Sequence, residues 1–208
     1  MLRQLLFAAF GVPTGLPGRI GGRLMSALNR NINAFAIDLL AAQPTHRVLE
    51  VGYGPGTALA LLAARVADGR MVGVDPSHEM ARQASRRNRQ LLRRGRLALA
   101  LAKAERLPFA AQQFDRVYSV NTIYFWPVLH DALAESARVL RPGGRAVLAF
   151  RARPLASGDL LIRSVCGPDS TVAQVAQCLH ALGFDPVRTE VRKLPFITAV
   201  ALVADHTG

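Results

Sequence analysis

The sequence predicts an α/β protein built on a doubly wound, seven-stranded sheet, mostly parallel, with an antiparallel edge at its C-terminal end. Three observations carry this. From His46 onward, short apolar runs alternate with segments of helical period, the pattern of a parallel sheet covered on both faces. The first apolar run leads into a glycine-rich loop that opens a helix. The last two runs, 187–191 and 197–204, lie close in sequence, as antiparallel neighbours at a sheet edge do.

The elements follow in order. Residues 1–10 carry Arg3 and a short apolar run that stops at Gly11 with no small-residue cleavage site after it, so a secretory signal is not expected. Gly11, Pro13, Gly15, Pro17, Gly18, Gly21 and Gly22 punctuate a loop. Leu24, Leu28, Ile32, Phe35, Ile37, Leu39 and Leu40 then recur at roughly helical spacing. Residues 1–43 are therefore read as an N-terminal helical cap and 44–208 as the main domain. Strands are expected at 48–51, 71–74, 97–101, 116–120 and 146–150. A helix over 57–66 packs Leu59, Leu61, Leu62 and Val66 on the sheet. Another starts after Ser77, a good cap, with Glu79 in its first turn where the helix dipole favours an acid. A helix over 128–140 is ended by Pro142, Gly143 and Gly144, and one over 172–182 is closed by Gly183.

The chain has 208 residues, enough for one domain and a short appendage. Half of them are apolar and 19% charged, which supplies a core and excludes a disordered chain. No window approaches the roughly 18 unbroken apolar residues of a spanning helix. Cys166 and Cys178 lack partners at ligand spacing, so neither a zinc site nor a disulfide framework is expected, no metal is implied, and a reducing cytoplasm is the default location. The net charge of +12 suits nucleic acid, an anionic membrane surface or an acidic partner, and does not choose among them. Seven arginines, Arg82, Arg86, Arg87, Arg89, Arg93, Arg94 and Arg96, concentrate that charge on one helical stretch.

The chemistry is carried by Val48-Leu49-Glu50-Val51-Gly52-Tyr53-Gly54-Pro55-Gly56-Thr57, three glycines at alternate positions between a strand and a helix. Glycine there leaves room for a ligand against the backbone or permits positive φ. Gly54 in particular is expected to be so crowded that a Cβ clashes with the ligand or demands a disfavoured backbone. A dinucleotide-binding loop needs its third glycine where Thr57 stands, and a triphosphate-binding loop needs a lysine that is absent.

With the blocks that follow, the sequence resembles the class I S-adenosylmethionine-dependent methyltransferases, whose first motif reads E/D-x-G-x-G-x-G. Val72-Gly73-Val74-Asp75 ends the second strand with an acid. Ala104-Glu105-Arg106-Leu107-Pro108-Phe109, Phe114-Asp115-Arg116-Val117 and Arg138-Val139-Leu140-Arg141-Pro142-Gly143-Gly144 match later blocks, so the resemblance covers about residues 44 to 204. It implies a Rossmann-like fold, S-adenosyl-L-methionine as methyl donor, and a donor site formed by Glu50, Gly52, Tyr53, Gly54, Gly56, Asp75, Pro76, Met80, Ala104, Glu105 and Asn121. In that reading Asp75 accepts from the ribose hydroxyls and Met80 packs on adenine. One residue departs from the pattern: many relatives place an acid before the Ala-Glu pair to accept from the adenine amino group, and this chain has Lys103, which cannot accept. The backbone near Ala104, or Glu105, is left to replace it.

The donor has a sulfonium and an ammonium but no phosphate, so carboxylates suit it better than a positive cradle. After the fourth strand, Asn121-Thr122-Ile123-Tyr124-Phe125-Trp126-Pro127 places aromatic groups at the edge facing the transferred methyl. Tyr124, Phe125 and Trp126 are the expected acceptor contacts, with Asn29 and Asn33 of the cap. The prolines of amino-directed nucleic-acid enzymes and a nearby nucleophilic cysteine are both absent. His130 and Asp131 are read as a helix start, and no single catalytic residue is assigned, because aligning acceptor, carbon and sulfur can suffice. The resulting expectation is a cytoplasmic methyltransferase acting on a small-molecule acceptor. Its alternatives are an RNA or membrane-lipid acceptor and a donor-binding protein without turnover.

Overall fold

The computed structural model describes residues 29–164, 168–194 and 197–208. The apolar run at 1–10, the loop at 11–22, the first part of the cap's helical stretch and Cys166 lie outside them. Helix α1 is Arg30–Leu40. Then come β1 (Arg47–Val51), α2 (Thr57–Leu62), β2 (Arg70–Asp75), α3 (His78–Arg87), α4 (Arg89–Arg93), β3 (Leu97–Leu101) and β4 (Phe114–Val120). A 3-10 turn at Ile123–Phe125 leads into α5 (Leu129–Val139) and β5 (Leu140–Arg151). Three short strands, β6 (Arg153–Pro154), β7 (Leu160–Ile162) and β8 (Ser170–Thr171), precede α6 (Val172–Ala181), β9 (Phe184–Leu194) and β10 (Ile197–His206).

Seven strands form one sheet in the order β3-β2-β1-β4-β5-β10-β9. The first five are parallel, and β10 runs antiparallel to both β5 and β9, as the sequence predicts. Side-chain alternation divides the core between the two faces. Val48, Met71, Leu97, Tyr118, Val147 and Ala201 pack under α1, α2 and α3. Leu49, Val117, Leu148, Phe150 and Leu202 pack under α5 and α6. Helix α1 contributes Ile32, Phe35, Ala36, Ile37 and Leu40 to the first of these layers, and its N-terminal end is brought to the carboxyl ends of the central strands.

Several boundaries differ from expectation; α2 ends at Leu62 instead of 66 and leaves Leu61 exposed. Helix α5 stops at Val139, before Pro142, and β5 begins at once; Leu140 pairs with Phe114, and the register then jumps to Arg145 opposite Arg116. Pro142-Gly143-Gly144 is thus a bulge inside the strand entry, the place where a sheet tolerates proline and positive φ, here +72° at Gly143. The three-stranded sheet β6-β7-β8 was not anticipated, because strands of two or three residues carry no periodic signal.

Strand order reverses between β2 and β4 on either side of β1, so a crevice opens beyond the carboxyl ends of β1, β2 and β4. The rigidity of that platform rests on the buried centre of the sheet. Leu202 is fully buried in the layer under α6. Leu202→Ala is expected to lower unfolding free energy by about 2–5 kcal/mol in denaturant titrations. A change within about 0.5 kcal/mol, the range of surface substitutions, would contradict this packing.

Candidate functional site

The chain leaves β1 at Val51 and turns through the glycines into α2. Gly52 and Tyr53 both donate their N–H groups to the Val74 carbonyl, at 2.7 and 3.2 Å. The Gly54 N–H donates to Asp75 Oδ2 at 2.9 Å, and the Ser77 N–H donates to Asp75 Oδ1 at 2.9 Å. The Ser77 hydroxyl in turn caps α3 by accepting from the Met80 N–H. Asp75 therefore ties the glycine loop and the next helix start to the end of β2. On its far side the loop is held by Arg87, which donates to the Pro55 carbonyl at 2.8 Å and to Thr57 Oγ1 at 2.6 Å, and by Asn88, which donates to the Gly56 carbonyl at 3.0 Å.

Gly54 has the disfavoured backbone expected of it, at φ +49°, but the tight packing by protein neighbours is elsewhere in the loop: a Cβ on Gly54 would meet none of their atoms within 4 Å. The crowded glycines are Gly52, where φ is +81° and a Cβ would fall 2.2 Å from Thr122 Cγ2 because Thr122 at the end of β4 packs against the loop, and Gly56, where it would fall 2.6 Å from Asn88 Nδ2.

Glu50 is 2% exposed and faces its β4 register partner Tyr118, whose hydroxyl donates to Glu50 Oε2 at 2.8 Å. Burial pushes its carboxyl up to about 8, with the nearby Asp75 adding to the rise and the Tyr118 hydrogen bond opposing it. Burial likewise raises Asp75 to about 6 against the pull of its two backbone donors. These two acids sit together in a chain of net charge +12. Removing them from water disfavours the charged forms, and a cationic ligand would restore them.

A cavity of about 190 Å³ opens over these groups. From the loop it is lined by Glu50, Gly52, Tyr53 and Gly54; from β2 and α3 by Asp75, Pro76 and Met80; and from the segment after β3 by Lys103, Ala104 and Glu105. Asn121, Phe125 and Trp126 close it from the end of β4, and Asn29 and Asn33 from α1. Two expected residues are not in the wall. Gly56 lies below it, against Ala84 and Asn88. Tyr124 is turned into the scaffold: its hydroxyl accepts from the Arg151 N–H and lies 3.0 Å from the Arg151 carbonyl and 3.1 Å from Asn121 Oδ1. Asn121, at φ +57°, donates through Nδ2 to Asn29 Oδ1 at 3.0 Å, and the Arg151 guanidinium donates to the same oxygen at 2.9 Å. Asn29 thus joins the start of α1 to the ends of β4 and β5 instead of capping its own helix.

Two buried polar atoms in this wall have no partner among the described residues, the Tyr53 hydroxyl and Glu105 Oε1. His130 and Asp131 are exposed, pair with each other and line no part of the cavity. Of the seven arginines, Arg82 pairs with Glu79, Arg87 holds the loop and Arg96 binds the Ala63 and Val66 carbonyls. None of the seven lines the cavity. The sequence reading did not single out Tyr118, Thr122 and Asn88, whose roles follow from strand register and loop packing.

Residues 49–148 match the family model described as a methyltransferase domain. The chain is 31% identical over 134 residues to the uncharacterized methyltransferase YdaC of Bacillus subtilis, covering 64% of this chain and 72% of that one. It is 31% identical over 179 residues to malonyl-[acyl-carrier protein] O-methyltransferase of Herminiimonas arsenicoxydans, covering 81% of this chain and 64% of that enzyme, so it spans less than two thirds of the latter. The fold matches geranyl diphosphate C-methyltransferase from Streptomyces coelicolor, solved with Mg2+, geranyl diphosphate and S-adenosyl-L-homocysteine, at a TM-score of 0.71 and 18% identity, over 96% of this chain and 87% of that one. Fold and site together define an S-adenosylmethionine-dependent methyltransferase of class I. The chain belongs to the methyltransferase-domain family.

The cavity's residues suit that donor. Asp75 keeps lone pairs beyond its two backbone donors, Glu105 presents an unpartnered acceptor, and Glu50 lies where a cation would stabilise its charge. The raised carboxyls also dictate a pH dependence. The folded chain holds protons on Glu50 and Asp75 that the unfolded chain sheds near the ordinary carboxylate values. Their contribution to stability is therefore full below about pH 4.5 and is lost as pH rises through about 6 and about 8. Glu50→Gln is expected to flatten the decline in unfolding free energy between pH 5 and 8 that denaturant titration of the ligand-free wild type shows; equal slopes for both would contradict the burial of an acid at this position.

Proposed function

We propose that the protein transfers a methyl group from S-adenosylmethionine to an oxygen, nitrogen or carbon of a small-molecule acceptor. The observation that carries this is the pair of buried acids, Glu50 and Asp75, at adjacent strand ends in one cavity with the unpartnered Glu105 oxygen. The bound donor supplies an electrophilic methyl on a sulfonium. Asp75 holds the ribose hydroxyls with its remaining lone pairs, and Met80 packs on the adenine. Glu105 accepts from the adenine amino group, the task Lys103 cannot perform. Glu50 balances the donor's positive end. Phe125 and Trp126 close the acceptor side and exclude water, while Tyr124 acts as a positioning residue that fixes Asn121 and the end of β5. No side chain is assigned as a base; alignment of the acceptor with the methyl is the contribution of the walls.

Residues 1–43 serve in this reading as a cap, with Asn29 and Asn33 at the cleft. No helix among the described residues is long and apolar enough to cross a membrane, and Cys178 is a free thiol; we place the protein in a reducing cytoplasm. The seven arginines between Arg82 and Arg96 line no wall of the cleft, which favours a small acceptor over a polyanion.

Calorimetry with S-adenosylmethionine tests the donor site. Asp75→Ala is expected to weaken binding by about 1–3 kcal/mol, through loss of charged hydrogen bonds and of the loop anchor. Glu105→Ala should weaken it by about 1–2 kcal/mol while Lys103→Ala has little effect. No binding by the wild type, or a larger loss at Lys103 than at Glu105, would overturn the assignment.

A further inference from the structure

A second cavity, of about 310 Å³, lies beside the first. It is framed by the 3-10 turn, the start of α5 and the small sheet β6-β7-β8. Its walls include Ile123, Leu129 and Ile162, and its volume falls at the lower end of the roughly 300–1,000 Å³ typical of small-molecule sites. Trp126 and Pro127 line both cavities, so one indole is the partition between them.

The chemistry of the two spaces is opposite. The donor cleft is walled by Glu50, Asp75, Lys103 and Glu105. No ionisable side chain lines the second cavity among the described residues; Ser164, Ser170 and the indole N–H of Trp126 are the side-chain polar groups they bring to it, and the Ser164 hydroxyl donates to the Tyr124 carbonyl. A charged occupant would be desolvated there with nothing to pair it, whereas an apolar one gains by leaving water. Val128 remains 48% exposed although it belongs to this wall, so a large apolar side chain is left in water where the cavity meets solvent.

We propose that this second cavity seats the uncharged, apolar portion of the methyl acceptor, and that Trp126 sets that portion against the donor cleft. The acceptor is then an amphipathic small molecule: an aliphatic or ring body beside Ile123, Leu129 and Ile162, and a polar end past Trp126 that carries the atom to be methylated. The inference rests on the methyl-transfer reading and deepens it by fixing the substrate class. It also explains the small sheet, which supplies Ile162 and Ser170 to this wall and no residue to the donor cleft.

Trp126 is the only tryptophan in the chain, so intrinsic emission reports on this partition directly. Titration of the full-length protein with 1-octanol is expected to change that emission saturably, with octanoate weaker by about ten-fold or more because its carboxylate finds no cation in this cavity and meets the acids Glu50, Asp75 and Glu105 beyond Trp126. Val128→Asp places a carboxylate on the same wall at the N-cap of α5, a position where Asp is a favoured cap and the helix is retained. It should weaken octanol binding by about ten-fold while leaving the calorimetric affinity for S-adenosylhomocysteine unchanged. No saturable change with octanol in the wild type, octanoate binding as tight as octanol's, or an unaltered octanol affinity in Val128→Asp would overturn the proposal. A protein that binds octanol but not S-adenosylhomocysteine keeps the apolar seat and loses the methyl-transfer reading; one that binds S-adenosylhomocysteine but not octanol does the reverse.

Discussion

Asp75 ends β2 with a carboxylate that is 7% exposed, and both of its oxygens are met by backbone N–H groups from different segments, Gly54 of the loop and Ser77 before α3. Burying a carboxylate is unfavourable unless hydrogen bonds compensate, so the glycine loop and the entry to α3 are ordered around it. The rest of the site depends on that arrangement. The loop's first two N–H groups reach the Val74 carbonyl, Arg87 and Asn88 hold its other side, and Gly52 leaves the room that Thr122 requires. Glu50, one strand away, is more deeply buried, and the Tyr118 hydroxyl and the Leu59 backbone offset only part of that burial. It is correspondingly the more strongly perturbed acid, raised to about 8 against about 6 for Asp75.

This difference has functional meaning. In the proposed reading, Asp75 is compensated by its two backbone donors and keeps lone pairs for neutral hydroxyl donors, whereas Glu50 is the acid whose charge a bound cation would stabilise. The net positive charge of the molecule lies elsewhere, with Arg86, Arg89, Arg93 and Arg94 exposed on α3 and the stretch after it, so the cleft is an acidic enclave in a basic protein. Beyond the acids, the aromatic segment divides its labour. Phe125 and Trp126 form walls, whereas Tyr124 joins Asn121 to Arg151 and through them to Asn29.

Much of this was legible in the sequence because it depends on local period. The strand at 97–101 and the helix starting after Ser77 fall where the apolar run and a capping serine put them; Glu50 announces itself as an acid inside the apolar run that leads into the glycines, and Asp75 as the acid that ends the next run before proline. What escaped depends on pairing across the sheet. Tyr118 is the partner of Glu50 only because β1 and β4 place them opposite each other, 68 residues apart in sequence. Gly54 resembles the crowded glycine until Thr122 is seen to press on Gly52. Tyr124 and Phe125 are adjacent in a 3-10 turn, and sequence cannot say which ring faces the cleft. The bulge at Pro142-Gly143-Gly144 signals the same break in either reading, but only the β4–β5 register shows that the helix has already ended.

The central claim is that Glu50 is held largely protonated near neutrality and is ionised by the donor's positive charge. Proton exchange on binding measures this directly, by titrating S-adenosylmethionine into the protein at pH 7 in buffers of different ionisation enthalpy. The account predicts a release of protons, approaching about one per site, that is reduced in Glu50→Gln and smaller with S-adenosylhomocysteine, which lacks the sulfonium. Binding enthalpies that are the same in every buffer, with no proton released by the wild type, would contradict it.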